Sequence, residues 1–200
     1  MTQRPDDVTA KDSGGNFTPH SEGQHAVACV DVVNLGTKVE TFPGAEPREV
    51  DKAALVFASG ERQDGGALTI ITVEMTLSMN EKANMRKFLE SWRGKSYTAE
   101  QAEKGVPLHK LQGQVALVSV EHIITKAGRR FAKIKSVSPL PEAMSISPDR
   151  LEALLKEYER PEFFKERKEE YALALAKHRA EYAANGVEPE IEEDDDEVPF

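Results

Sequence analysis

The stretch Ala67–Arg93, ALTIITVEMTLSMNEKANMRKFLESWR, changes its apolar pattern halfway along its length. Ala67–Ser78 is rich in β-branched residues and predicts a strand. In Asn80–Arg93 the apolar residues recur at helical spacing, with Asn80 placed to cap the helix and Gly94 placed to end it. The remaining predicted strands lie before and after this junction of a strand and a helix.

Two further strands are predicted on each side of this junction. Gln24–Leu35 and Lys52–Ser59 precede it, separated by a long loop over 36–51 that contains glycine and proline. Leu111–Thr125 and Arg129–Val137 follow it and form a hairpin. Three strands, a helix and a two-stranded hairpin are the element order of a five-stranded OB-type barrel, with the helix between strands three and four. The predicted fold is therefore mainly β.

The chain outside the predicted barrel, which occupies residues 17–141, has a different composition. Residues 1–16 are polar, are expected to be disordered, and contain no apolar stretch of the kind that a signal peptide needs. Residues 142–186 are predicted to form a helical extension that starts at a Ser147-Pro148 cap. Its apolar stripe can pack on the barrel or pair with a second copy of the chain, because both arrangements bury the same residues. Residues 187–200 form an acidic tail with too little apolar content to fold.

The formal net charge of -9 is concentrated at one end of the chain. Residues 187–200 contain eight acidic and no basic side chains, whereas residues 17–140 contain 16 basic and 14 acidic ones. The acidic total therefore does not exclude a barrel that binds nucleic acid. The single cysteine excludes an internal disulfide, and no apolar run approaches the ~20 residues of a membrane span. We expect a cytoplasmic protein without a membrane partner.

The fifth predicted strand has the pattern that single-strand binding requires. Because side chains alternate between the faces of a strand, Ala132 and Ile134 are expected in the core and Phe131 on the outside, unless Phe131 packs under the C-terminal helices. An exposed ring stacks on a base of any identity, while neighbouring cations follow the phosphates. The predicted DNA-binding residues of this hairpin are Lys126, Arg129, Arg130, Phe131, Lys133 and Lys135. Further candidates on the long loop and the second strand are Lys38, Phe42, Arg48 and Lys52.

The last residues of the chain, EEDDDEVPF, combine a run of carboxylates with an apolar end. The ring of Phe200, beside the free carboxylate, can enter an apolar pocket while the upstream acids steer the tail towards a basic rim. This ending resembles the acidic tip of bacterial single-stranded DNA-binding proteins, which binds replication, repair and recombination enzymes, although Glu197 here separates the aspartates from Val198. The resemblance implies that partner proteins are bound by Asp194, Asp195, Asp196, Val198, Pro199 and Phe200.

The barrel region separately resembles phage-encoded OB-type single-stranded DNA-binding proteins. The similar stretches are Leu77–Gly94, LSMNEKANMRKFLESWRG, and Gln112–Pro141, which includes GRRFAKIKSVSPLP. Together the two resemblances imply a sequence-tolerant single-stranded DNA-binding protein that acts in DNA replication, recombination and repair. If the protein is phage-encoded, its compartment is the host cytoplasm.

Other classes of function have less support. The five histidines show no metal-ligand spacing, one cysteine cannot build a zinc ribbon, and neither a phosphate-binding loop nor a nucleophile elbow is present. We therefore expect no catalysis, no cofactor and no metal, and a nuclease or other small hydrolase is disfavoured. The main alternative is an OB-fold recombination or replication mediator whose helical extension binds a partner protein. Phe57 and Trp92 are predicted to be core residues, with Trp92 closing one end of the barrel.

Overall fold

The computed structural model describes residues 18–125, 128 and 130–184. The strands are β1 (Gly23–Glu40), β2 (Arg48–Arg62), β3 (Leu68–Thr76), β4 (Val115–Ile124) and β5 (Arg130–Ser138). The α-helices are α1 (Asn84–Arg93), α2 (Ala99–Glu103), α3 (Pro148–Glu157) and α4 (Phe163–Ala184), and short 3₁₀ helices lie at Leu108–Leu111 and Glu142–Met144. The chain is mainly β with C-terminal helices, and the predicted order of elements is confirmed.

The strands form one five-stranded antiparallel sheet in the order β3-β2-β1-β4-β5. At its centre, Gly23–Ala28 of β1 pair with β4, and Ala28–Glu40 pair with β2. The β1–β2 register shifts after Cys29 and after Asn34, and such bulges bend a strand and increase its twist. The edge strands β3 and β5 approach to within 8 Å between Cα atoms, but no pairing joins them in the described sheet. The sheet is therefore curled and open at this seam.

The hairpin of β1 and β2 is longer than the sequence pattern predicts. The predicted loop over 36–51 is wrong in extent, because Thr37–Glu40 pair with Arg48–Asp51 and leave only residues 41–47 between the strands. Gly36 lies at the second register shift with a φ of 79°, a conformation that glycine adopts readily. The glycine expected to start the loop instead forms an irregularity inside the strand.

The first helix begins at Asn84, later than predicted. Asn80 does not cap it, because the Asn80 Oδ1 accepts a hydrogen bond from the backbone N–H of Lys82 at 3.0 Å. The Asn80 carbonyl also accepts from the N–H of Ala83 at 2.9 Å, which closes a tight turn before the helix. The predicted end is confirmed, since Gly94 terminates the helix in the left-handed conformation with a φ of 66°.

Apolar residues pack on both faces of the sheet. On the inner face, the rings of Phe57 and Trp92 have centroids 5.2 Å apart, and α1 contacts both β3 and β5. Trp92 Nε1 donates to the Val115 carbonyl at 2.8 Å, and the burial of both rings confirms their prediction as core residues. On the outer face of β1 and β2, a second cluster includes helical residues; its buried members are Ala28, Val30, Val33, Leu35, Ala54, Val56, Ala58, Leu154, Phe164 and Tyr171.

The helical extension packs on its own sheet. Ser147 caps α3, accepting a hydrogen bond from the N–H of Arg150 as the Ser-Pro pattern predicts. The helix breaks around Pro161, and Phe164 and Tyr171 of α4 are buried against β1 and β2. Of the two arrangements that the sequence allowed, the intramolecular one is observed. No described helix combines the length and the apolar character that crossing a bilayer requires.

Candidate nucleic-acid interface

The outer side of β5 carries an aromatic ring beside basic side chains. Phe131 is 40% exposed, and Lys133 and Lys135 are also exposed. Ala132 and Ile134 turn to the inner cluster, so the strand alternates as predicted. Phe131 is not part of the apolar cluster beneath the C-terminal helices. Its ring is accessible to a ligand from solution.

The neighbouring strand β4 supplies the other half of this surface. Ile123 lies opposite Phe131, and Glu121 lies opposite Lys133. Lys135 follows at a register shift and is exposed, with its Nζ 3.6 Å from Glu121 Oε2. An ion pair this exposed contributes little to stability and leaves the lysine available to another anion. We call this surface, formed by Glu121, Ile123, Phe131, Lys133 and Lys135, the open face.

The β4–β5 turn lies at one end of the open face. Arg130 is at this end, and Ile124 is 65% exposed in the paired position. The Gly128 N–H donates to the Thr125 carbonyl at 2.9 Å within the turn. The predicted contacts Lys126 and Arg129 lie outside the described residues.

The loop over residues 41–47 presents a second exposed ring. Phe42 is 48% exposed, and the guanidinium carbon of Arg48 lies 5.2 Å from the centroid of its ring. This is a cation–π arrangement, which keeps the cation beside the ring. A ring on the loop and a cation at the start of β2 therefore lie side by side, and these are the two groups that single-strand binding uses.

Two predicted DNA-binding lysines are instead engaged inside the protein. Lys52 is only 8% exposed, with its Nζ 2.6 Å from Glu40 Oε1 and donating to Thr76 Oγ1 at 2.8 Å. Lys38 is half-buried, and its Nζ lies 5.3 Å from the centroid of the Tyr171 ring on α4. The β1–β2 hairpin extends past residue 38, so Lys38 lies on a paired strand and not on the predicted loop, whereas Lys52 lies on the second strand as predicted. The burial of Lys52 corrects its prediction as an exposed DNA-binding residue.

Helices α3 and α4 cover the outer surface of β1 and β2, which we call the covered face. Asp31, at its centre, is 7% exposed and accepts hydrogen bonds from Arg160 Nε at 2.7 Å, Arg160 Nη2 at 2.9 Å and the Tyr158 hydroxyl at 3.1 Å. Burial raises the pKa of the Asp31 carboxyl, but the bonds from Arg160 and Tyr158 outweigh it and hold the pKa below its usual value. A buried carboxylate of the sheet thus attaches to the segment between the helices.

Three more charged contacts fasten α3 and α4 to the strands. Glu74 of β3 accepts from the Tyr171 hydroxyl at 2.5 Å and from Arg167 Nη1 at 3.3 Å. Glu49 of β2 accepts from Arg179 Nη2 at 2.6 Å, and this guanidinium lowers the pKa of the Glu49 carboxyl. The third contact joins Arg62 and Glu157. In OB folds the surface of strands two and three contacts oligonucleotides, together with two loops. Here α4 contacts that surface through Glu49 of β2 and Glu74 of β3.

A cleft of about 340 Å³ lies beside the end of α1. Trp92, Arg93, Tyr97 and Lys110 are among its lining residues, and the guanidinium carbon of Arg93 lies 4.1 Å from the centroid of the Tyr97 ring. This ring–cation pair was not predicted, because Tyr97 stands in a polar stretch with no periodic pattern. None of the predicted DNA-binding residues within the described ranges lines the cleft.

Two predicted features remain to be placed. The tip residues 194–196 and 198–200 lie outside the described part of the chain, as do residues 1–16. The chain matches no protein-family model and no curated protein.

Proposed function

We propose that this chain is a sequence-tolerant single-stranded DNA-binding protein of the OB type, with the open face as its main contact. The observation that carries the proposal is Phe131, a 40% exposed ring with Lys133 exposed on the same side of the strand, on the surface that α3 and α4 leave uncovered. Stacking requires an unpaired base whose π-face is accessible, whereas duplex bases already stack on one another. The surface is therefore suited to single strands.

The OB assignment is the finer part of the fold proposal. It is supported by the helices between β3 and β4, by the curl of the sheet and by the approach of β3 to β5. Helix α1 contacts both edge strands and places Trp92 in the inner core, as a helix at the end of a partly open barrel does.

The residues proposed to contact DNA differ in kind. Phe131 and Phe42 are stacking residues, and Lys133, Lys135, Arg130 and Arg48 contact phosphates. Because the cations bind the backbone and the rings accept any base, little sequence preference is expected. Glu121 on the open face weakens phosphate binding locally, because its negative charge repels a phosphate that approaches Lys133 or Lys135 from the Glu121 side.

The acidic tail is proposed to recruit partner proteins. The support is its sequence: eight acidic side chains over residues 187–200 are followed by Val198, Pro199 and Phe200. A run of carboxylates beside an apolar plug suits an apolar pocket with a basic rim on a replication or recombination enzyme. No enzymatic activity and no cofactor are part of this proposal.

The binding mode is tested with fluorescent oligothymidine and with duplex of equal length. We expect tighter binding to the single strand and an affinity that falls as salt rises, because neutralised phosphates release counterions. Equal affinity for both forms would falsify the proposal. Absence of DNA binding together with capture of a recombination protein would favour the alternative, an OB-fold mediator.

The tail is tested by comparing the intact chain with a Phe200→Ala variant and with a chain that lacks residues 192–200. Phe200→Ala keeps every acidic side chain but removes the plug, so capture of replication and recombination proteins from extract should be lost. The truncated chain should lose the same partners. Its DNA affinity at low salt should stay the same or increase, because the truncation removes a tethered polyanion that competes with DNA for the open face. Identical partner sets for all three proteins would reduce the tail to a solubility device.

A further inference from the structure

Three side chains of metal-binding types meet where the segment before β1 lies against the end of β2. A ring nitrogen of His20, a ring nitrogen of His25 and a carboxylate oxygen of Glu61 all lie within 4.8 Å of one another. His20 Nδ1 is 3.4 Å from Glu61 Oε2. Two ligands that bind a tetrahedral zinc ion at roughly 2.0–2.1 Å are themselves roughly 3.4 Å apart. This pair of atoms already has the separation found in a metal site.

The fold brings this cluster together from distant parts of the chain. Thr18 and Gln63 exchange two hydrogen bonds, of 2.9 and 2.7 Å, which hold the segment before β1 beside β2. The expectation that no metal is bound rested on spacing along the chain, and His20 and Glu61 are separated by the whole β1–β2 hairpin. Local spacing therefore gives no signal for a cluster that strand pairing creates.

Hydrogen bonds orient two of the three side chains in advance. The other ring nitrogen of His20, Nε2, is 2.7 Å from Ser59 Oγ, so Nδ1 is the atom directed to Glu61. The Glu61 carboxylate accepts from the N–H of Ser21 at 2.9 Å and from the Ser21 hydroxyl at 2.7 Å. Metal-binding histidines and carboxylates usually have such outer partners, which fix the ring and raise the affinity for the ion. His20 is fully buried, while His25 and Glu61 are half-buried and leave a path to solvent.

We propose that His20 Nδ1, His25 Nε2 and the Glu61 carboxylate bind a divalent transition-metal ion, with Zn²⁺ as the representative probe. Two imidazoles and one carboxylate form a donor set that suits this class of ion, and a water molecule completes four-coordination. Both named ring nitrogens now face the Ser21 carbonyl, at 3.1 Å and 3.0 Å, so the ion replaces these hydrogen bonds. The site would fasten the segment before β1 to β2.

The experiment is calorimetric titration of the full chain, without a histidine tag and stripped of metal, with Zn²⁺. We expect one ion per chain at this site, and a large loss of affinity in His25→Ala and in the near-isosteric Glu61→Gln. Ser59→Ala, which removes only the outer partner of His20, should weaken binding roughly 10–100-fold. His109→Ala and Glu152→Gln are the matched controls, because both side chains are exposed and lie outside the cluster. They should bind Zn²⁺ as the unaltered chain does.

A second readout separates this site from the acidic tail, whose carboxylates also attract cations but are identical in every variant. Saturating Zn²⁺ should raise the melting temperature of the unaltered chain and of the controls, because an ion that binds only the folded state stabilises it. Zn²⁺ should not raise the melting temperature of Glu61→Gln. This variant also tests the metal site if His25→Ala does not fold. Equal Zn²⁺ affinity in the unaltered chain and Glu61→Gln, or the absence of saturable binding, would overturn the proposal.

Discussion

The covered face and the open face belong to the same sheet but differ in burial and in the pairing of their charged side chains. On the covered face, β2 directs Ala54, Val56 and Ala58 outward, and helices bury them. On the open face, Phe131 and Lys133 point outward without a helix above them. Small apolar residues let a helix approach closely and gain hydrophobic stabilisation, whereas a ring left in water forgoes it. The comparison shows that the open face stays accessible to solvent, and the proposed contact with DNA rests on this difference.

Charge separates the two faces as clearly as burial does. Asp31, Glu49 and Glu74 on the strands each bond to an arginine of the C-terminal segment. On the β4–β5 side, Lys133 and Arg130 have no ion-pair partner within the part of the chain that the structure describes. The carboxylates beneath the helical extension are thus paired with its arginines. The lysines of the open face outnumber its single acidic residue, Glu121.

The largest expected effect comes from breaking the covered face. Phe164→Ala should lower the free energy of unfolding by about 3–5 kcal/mol, because its ring is 3% exposed beneath α4. Phe163→Ala is the matched control: its ring is 43% exposed, and its centroid lies 4.2 Å from that of the Phe164 ring. The control should lose no more than about 1.5 kcal/mol. Denaturant unfolding measures both, and equal losses would show that α4 is not packed as described.

The next effect concerns the buried carboxylate. Arg160→Ala removes both guanidinium bonds to Asp31 and should cost about 1–2 kcal/mol, less than a fully buried pair because Arg160 is half-exposed. Lys168→Ala, an exposed cation on α4, serves as the control and should change stability by less than about 0.5 kcal/mol. Chemical denaturation of the two variants beside the unaltered chain provides the comparison. An unchanged free energy of unfolding in Arg160→Ala would mean that apolar contacts alone hold the helices on the covered face.

The dependence of stability on pH follows from the same contact. The pKa of Asp31 is lower in the folded chain than its usual value of about 3.9, so its contribution is complete above that pH. The contribution is lost as the pH falls through the lower, folded-state pKa. In Arg160→Ala the carboxylate is buried without its cation, so the stability gap to the unaltered chain should narrow below about pH 4. A gap that stays constant down to acid unfolding would contradict the assigned role of this ion pair.

Local signals in the sequence were sufficient wherever one segment determines its own structure. The Ser147 cap, the end of α1 at Gly94 and the alternation around Phe131 all depend on neighbouring residues, and all three predictions are confirmed. The prediction of Lys52 as an exposed DNA-binding residue was wrong because its partner Glu40 lies on another strand, β1. The prediction of Asn80 as a helix cap was wrong because an asparagine side chain can stabilise either a helix cap or a turn, and the sequence alone does not distinguish them.

The same reasoning explains what could not be predicted about sites. The position of the helical extension depends on long-range contacts such as Tyr158 with Asp31, which have no periodic trace in the sequence. The cluster of His20, His25 and Glu61 depends on strand pairing in the same way. By contrast, exposed residues that bind a ligand do not need a protein partner, so a strand pattern alone can indicate them.

The cations of the open face should have a small effect on stability and a distinct effect on binding. Lys133→Ala should change the free energy of unfolding by less than about 0.5 kcal/mol, because the side chain is exposed. It should reduce the slope of log affinity for oligothymidine against log salt by roughly 0.7, the value for one phosphate contact on a single strand. Lys168→Ala makes the same change in net charge and should leave the slope unaltered. Equal slopes in both variants would remove Lys133 from the interface.

The central claim is that the open face binds single strands through Phe131, and two phenylalanines of nearly equal exposure test it directly. Phe131 is 40% exposed on the open face and Phe163 is 43% exposed on α4. The measurement is fluorescence anisotropy of labelled oligothymidine with Phe131→Ala, Phe163→Ala and the unaltered chain, each checked for its melting temperature. Phe131→Ala should lose about 1–3 kcal/mol of binding free energy, roughly 5- to 150-fold in affinity, while Phe163→Ala binds normally. Unchanged affinity in Phe131→Ala with a lowered melting temperature would contradict the claim and make Phe131 a structural residue.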